Sequence, residues 1–210
     1  MISDETLRIL IPIITFIGGI IFTLLNTRNQ RKLSNRCYPS ITEAYFPFDL
    51  SKINIDSGTK MYYCGDYADL FNSDDVDKTS KIIYVKLANL GPGHMLNCNI
   101  DVKISTTDFS EEWDMNLCVN LIRKDELILI PTVKESMLDK EIILKSIVIE
   151  YLTAFGEKMK YTYWVNNIEK DKTIIKDTLQ IIKYKWFKKK VYSFKGKSSL
   201  FVFINLKKDN

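Results

Sequence analysis

The sequence predicts a mainly β protein: an N-terminal transmembrane helix, then an antiparallel β-sandwich or small barrel with one C-terminal amphipathic helix. Three observations predict it. Residues 9–25 form an uncharged, apolar run, ILIPIITFIGGIIFTLL. From Tyr38 onward, successive stretches alternate apolar and polar residues with a period of two, the spacing of a half-buried strand. Ile175, Leu179, Ile182 and Trp186 recur at intervals of four, three and four, the spacing of a helix face. The chain therefore divides into an anchor and basic stalk over 1–37 and a β domain over 38–210, with a helix at about 172–187.

The apolar run of 17 residues lies at the short end of what spans a bilayer. Leu7 extends it, and Arg8 has the reach to snorkel to the headgroups. Pro12 is expected in the first helical turns, where a missing N–H costs least. A cleaved signal peptide wants basic residues before the run and a small-residue cleavage site after it. Here Asp4 and Glu5 precede the run and no such site follows. A buried soluble helix of this length is expected to show a polar face, and this run shows none. The short N-terminal tail holds Arg8 alone, whereas Arg28, Arg31, Lys32 and Arg36 follow the run. That excess predicts an inner-membrane, single-pass protein with its N-terminus outside and its domain in the cytoplasm. The chain carries no N-x-[S/T] acceptor. Thr15, Gly19 and Thr23 are spaced by four on one face, a candidate small-residue seam for a homo-oligomer, although Gly and Thr are also common in membrane helices without one.

In the β domain, Ile83, Val85 and Leu87 share one strand face. Leu96, Cys98, Ile100, Val102 and Ile104 share another, with Asn97, Asn99, Asp101 and Lys103 opposite. Met115, Leu117, Val119 and Leu121 repeat the pattern, as do Met159, Tyr161, Tyr163 and Val165, and then Leu200, Val202, Ile204 and Leu206. The β-branched run 142–152 reads as a central strand. Gly91-Pro92-Gly93 and Gly156 read as turns, the first closing a hairpin, and 66–78 as an acidic surface loop.

Composition narrows the chemistry. In 210 residues there are one histidine, four cysteines, eight glycines and five prolines. Sites built on two histidines are excluded, and Cys37, Cys64, Cys98 and Cys118 lack the C-x-x-C spacing of a zinc ribbon. They read as buried structural thiols in a reducing compartment. The chain has no nucleophile elbow, P-loop, dinucleotide fingerprint or H-E-x-x-H motif. His94, in the glycine turn, has no nucleophile motif beside it. Glu111, Glu112 and Asp114 around Trp113 read as solvated charge, with acid–base work on a sugar as the sharper alternative. Asp66, Asp69, Asp74, Asp75 and Asp77 lack the glycine and terminal glutamate of an EF-hand. No catalytic residue, cofactor or metal is expected.

The segment Asn89-Leu90-Gly91-Pro92-Gly93-His94-Met95-Leu96-Asn97-Cys98 resembles a turn found in many bacterial immunoglobulin-like β-sandwich domains, N-x-G-x-G-x-A-x-N-V. Met95 replaces the usual alanine and Cys98 the usual valine. Ile149-Glu150-Tyr151, Gly156 and Tyr161 resemble the hairpin I-x-Y-x-D-x-x-G-x-x-Y of the same domains, with Thr153 where aspartate is commoner. The chain is thereby similar to single-pass bacterial membrane proteins with such domains and no assigned activity. The resemblance implies an immunoglobulin-like fold over about 80–166, and no particular function.

Charge is distributed unevenly. Residues 37–179 hold 16 basic and 23 acidic side chains, a net of −7; residues 180–210 hold 9 against 1, a net of +8. The basic tail interleaves aromatics around Trp186, Lys188, Lys189 and Lys190. Together with Arg28, Arg31, Lys32 and Arg36 it is a candidate contact for anionic headgroups. It also suits packing against the acidic domain. Nucleic acid is disfavoured, because the anchor holds the domain at a bilayer. The expectation is a membrane-anchored, non-enzymatic binding or scaffolding module facing the cytoplasm, with the lipid bilayer and a protein as partners. The alternative is a ligand-gated membrane effector of anti-phage defence, since the helix-then-β order is similar to effectors that bind cyclic nucleotides; those carry more than one helix. An enzyme acting on a membrane-linked sugar or lipid is the third reading and rests on the carboxylates near Trp113.

Overall fold

The structure is a computed structural model and describes residues 4–52, 55, 58–73, 76–137, 140–169, 172–184 and 187–198. Helix α1 runs over Asp4–Ser34, about 46 Å at 1.5 Å per residue. It starts earlier than the apolar run, so Pro12 falls in its third turn rather than its first. Helices in lipid tolerate this where neighbouring groups take up the freed carbonyl. The basic stalk is helical too: α1 continues unbroken through Arg28, Arg31 and Lys32. Within its span Leu10–Ser34, the most apolar stretch of 18 residues has a mean hydropathy of 2.0, long and apolar enough to cross a membrane, and none of that stretch is buried against the domain.

Among the described residues ten strands follow: β1 (Pro39–Pro47), β2 (Lys60–Met61), β3 (Lys81–Asn89), β4 (Met95–Thr106), β5 (Glu112–Ile122), β6 (Leu127–Pro131), β7 (Ile142–Thr153), β8 (Lys158–Glu169), β9 (Lys172–Tyr184) and β10 (Phe187–Ser198). They form a four-stranded sheet, β1-β3-β6-β2, and a six-stranded sheet, β10-β9-β8-β7-β4-β5. All pairings are antiparallel except β2 with β6. Both sheets contribute to one core. Ile83, Val85, Leu87, Ile128 and Ile130 of the first meet Cys98, Ile100, Val102, Ile147, Ile149, Tyr161 and Leu179 of the second. The alternation read from the sequence is this core face. A smaller core covers the other side of the four-stranded sheet, where Ile82, Tyr84 and Leu129 pack on Phe48, Leu50, Tyr67 and Leu70.

Several expectations are corrected. Residues 172–184 are strand, not helix, and Trp186 lies outside the described residues. Leu179 and Ile181 are buried and Ile175 packs on the core, so the inward set has period two. Asp177 interrupts that set and hides it. Thr173, Ile174, Ile175, Thr178, Ile181 and Ile182 are β-branched, which favours a pleated strand over a helix. Residues 89–95 do not close a hairpin: β3 and β4 belong to different sheets, so the turn carries the chain from one to the other. In β4, Met95 is buried and Leu96 only partly, because a register shift between Leu96 and Asn99 moves the inward set by one; Asn97 sits there at φ 49°. Within the expected acidic loop, α2 (Tyr67–Asn72) buries Tyr67 and Leu70. The expected strand 200–206 lies outside the described residues. The hairpin of β7 and β8 stands as read, with Ile149 opposite Tyr161 and Gly156 at φ 71°.

Candidate functional site

The first candidate is the joint between α1 and the β domain. Four residues link Ser34 to β1, and they are clamped. The Arg36 guanidinium donates to Glu157 through Nε (3.2 Å) and a terminal nitrogen (3.3 Å), with both side chains largely buried. The buried Tyr151 hydroxyl donates to the Cys37 carbonyl at 2.8 Å, and Leu90 N–H to the Tyr38 carbonyl at 3.0 Å. The glycine turn lies against this segment. A Cβ on Gly91 would stand 2.5 Å from the Arg36 carbonyl oxygen and 2.6 Å from Cys37 Cα and Tyr38 N; one on Gly93 would run into the Asn35 carbonyl. Neither glycine has a positive φ, so close approach, not backbone angle, is what requires them. Asn89, fully buried, holds the turn by donating to the carbonyls of Gly93 (2.8 Å) and Arg123 (3.2 Å) while accepting from Gly91 N–H (3.2 Å). The stalk is thus a rigid graft, not a tether.

The structure divides the expected membrane contacts. Arg28 and Arg31 are exposed on α1 and Lys32 is half-buried. Arg36 is committed to Glu157. The Thr15 and Thr23 hydroxyls donate to the carbonyls of Ile11 and Gly19 at 2.8 Å, satisfying themselves within the helix. A Cβ on Gly19 would meet nothing within 4 Å, so that face stands open. Lys188, Lys189 and Lys190 are exposed on β10, the edge strand of the six-stranded sheet.

The other candidates are absorbed by local pairing. Glu111 pairs with Lys140, Glu112 with Lys145 and Lys103, and Asp114 with Lys103; Lys140 also lies over the Trp113 ring at 5.3 Å. Lys145 is the largest cause holding the Glu112 carboxyl below its ordinary range. His94 Nδ1 accepts from Lys124 N–H at 3.0 Å. Among the described residues no three His, Cys, Asp or Glu side chains group as metal ligands. Cys37, Cys64 and Cys98 are buried, and burial pushes each thiol up to about 12, so none is a nucleophile at neutral pH. Cys118 departs from the expectation: it is exposed.

Strand pairing also builds a face that the sequence did not reveal. Residues opposite one another in antiparallel strands share a side. Lys158, Ile182 and Lys188 form one row across β8, β9 and β10; Lys160, Gln180 and Lys190 the next; Thr162, Thr178 and Ser193 the third; Trp164, Lys176 and Lys195 the fourth. Thr162, Trp164, Lys176, Thr178, Gln180 and Lys190 line a shallow recess of about 220 Å³. Reading 172–187 as a helix scatters these side chains and hides the face.

A second recess, of about 380 Å³, lies beside α2. Leu50, Met61, Tyr63, Tyr67 and Phe71 line it, with Asp49, Ser51 and Asn72. Tyr63 stacks on Tyr67 at 5.1 Å and 10°. Among the described residues no lysine or arginine lines it, so it suits apolar or planar groups rather than anions. The i, i+4 pair Tyr67 and Phe71 was its only trace in the sequence.

Comparison of the chain with protein-family models, with curated proteins and with solved structures finds no match.

Proposed function

We propose that this chain is a single-pass membrane protein whose β domain, an immunoglobulin-like sandwich, is a non-enzymatic binding module held rigidly at the cytoplasmic face of the bilayer. One observation carries the reading. The apolar stretch of α1 over residues 10–25 stands clear of the domain, with Ile14, Phe16, Phe22 and Leu24 each at least 65% exposed. An apolar surface of that size requires a cover, and lipid is the medium that fits a helix apolar on every side. Basic residues after the span favour the N-out orientation. The clamped joint then sets the domain close to the lipid, since Asn35 follows Leu25 by about 15 Å of helix. The shared core of two sheets and the Asn89 turn support the immunoglobulin-like reading. The paired carboxylates and buried thiols support binding over catalysis.

Alkaline carbonate extraction of native membranes, with intact-mass measurement of the extracted protein, tests this. The reading predicts retention in the pellet at the full 24.5 kDa. A soluble product lacking the mass of the apolar run would make that run a cleaved signal sequence and overturn it.

A further inference from the structure

We propose that the outer face of β8, β9 and β10 binds a soluble ligand that carries phosphate and a planar ring, in chemical class a nucleotide. Charge comes first. Six lysines lie on this face, two on β8, one on β9 and three on β10. Lys158 and Lys160 share a single carboxylate, that of Glu150, at 3.0 Å each. Among the described residues, Lys176, Lys188, Lys190 and Lys195 pair with no carboxylate. A cluster of uncompensated cations holds itself apart at a cost that an anion relieves. Lysines on an edge strand also keep a second chain from pairing. That accounts for β10 but not for Lys176, which sits on β9 inside the sheet.

Shape and chemistry narrow the anion. Lys176 and Lys190 flank the recess at opposite ends, and the row of Thr162 and Thr178 lies between them. Lysine acts as a point charge toward phosphate, and a threonine hydroxyl donates to a phosphate oxygen. Trp164, 38% exposed, forms one wall and offers a ring face for stacking. Among the described residues no Asp or Glu lines the recess. At about 220 Å³ it holds a ring and a phosphate, not a length of polymer.

Position separates a soluble ligand from lipid, and this step rests on the membrane-anchor reading. The β7–β8 turn that clamps Arg36 marks the end of the domain where α1 leaves. The Lys158 row lies at that end. Trp164 lies six residues farther along β8, about 20 Å along the strand from the Lys158 row, with Lys176 beside it on β9. A recess set that far along the strands from the clamped end favours a soluble ligand over a headgroup.

The test uses the full chain in zwitterionic nanodiscs, titrated calorimetrically with AMP, GMP, CMP, UMP and inorganic phosphate. At least one mononucleotide is expected to bind more tightly than phosphate. The double variant Lys176→Gln/Lys190→Gln and the variant Trp164→Ala should each weaken binding about tenfold or more, with Trp164→Phe restoring most of the loss. Lys81→Gln, exposed on β3 of the four-stranded sheet, should leave binding unchanged, and thermal unfolding of each variant confirms that it is folded. Four outcomes overturn the proposal: no mononucleotide binds; phosphate alone binds equally well; a uridine 12-mer binds far more tightly than UMP, which makes the face a polymer surface; or anionic lipid in the nanodisc abolishes binding, which makes it a lipid contact. A chain that stays out of nanodiscs yet binds nucleotide refutes the anchor and leaves the site standing.

Discussion

Gly91→Ala places a methyl group where three backbone atoms already stand. The added Cβ would sit 2.5 Å from the Arg36 oxygen and 2.6 Å from Cys37 Cα and Tyr38 N, against the roughly 3.5–4.0 Å of an ordinary contact. None of the three is a flexible side-chain end. Each is held independently, by the Arg36–Glu157 pair, the Tyr151–Cys37 bond and the Leu90–Tyr38 bond. Relief therefore requires the whole joint to shift. Overpacking of this kind costs about 1–3 kcal/mol, and weakening the Tyr151 bond adds about 1 kcal/mol. Restricting the unfolded chain returns up to about 1 kcal/mol. The net is about 2 kcal/mol, or a fall in Tm of about 4–8 °C for a chain of this size. Thermal unfolding in nanodiscs, followed by near-ultraviolet circular dichroism, reads it. Gly19→Ala is the control, since a Cβ there meets nothing within 4 Å. A Gly91→Ala protein that unfolds with the wild type would refute the claim that the joint is rigid.

The same joint predicts that Tyr151→Phe, which strands the buried Cys37 carbonyl, lowers stability by about 1–2 kcal/mol in denaturant titration; an unchanged midpoint would count against the bond. A thiol reagent at neutral pH should modify Cys118 alone in the folded protein and all four cysteines after denaturation, because burial holds the other three thiols near 12; a second fast-reacting thiol would contradict their burial. Asp177 accepts from the Tyr192 hydroxyl at 3.2 Å, and burial raises its carboxyl pKa despite that bond. The folded state therefore keeps this proton to a higher pH than the unfolded state does, so the group subtracts stability as pH rises from its unfolded value through its raised folded value. Asp177→Asn should equal or exceed the wild type in stability at pH 7, with its advantage vanishing below about pH 4; a less stable variant at pH 7 would reverse the sign.

The long apolar helix was legible because an uncharged run of 17 residues has few structural uses. The alternation of β4, β5 and β8 was legible because each has one buried and one wet face. The β9 strand was not. Asp177 occupies an inward position, made tolerable by the Tyr192 hydroxyl, and this single polar residue broke the period of two and left a helical spacing by coincidence. Sheet membership was not legible either. The Gly91–Gly93 turn reads as a hairpin from its residues alone, and only the approach of residues 35–38 shows why it passes between sheets. The basic face depended on both points. Lys176 and Lys190 are 14 residues apart in sequence, and only the register of β9 with β10 brings their rows together. The recess beside α2 escaped because only the fold brings residues 49–51 against the aromatics of 63–71.

The most direct test of a membrane-anchored domain facing the cytoplasm uses the exposed Cys118 as a native reporter. Intact cells are treated with a membrane-impermeant maleimide, then permeabilised and treated again, in parallel with a variant that carries Ser3→Cys and Cys118→Ser. The account predicts that Cys118 reacts only after permeabilisation and that the cysteine introduced near the N-terminus reacts in intact cells. Labelling of Cys118 in intact cells, with the N-terminal cysteine protected, would place the domain on the opposite side and contradict it.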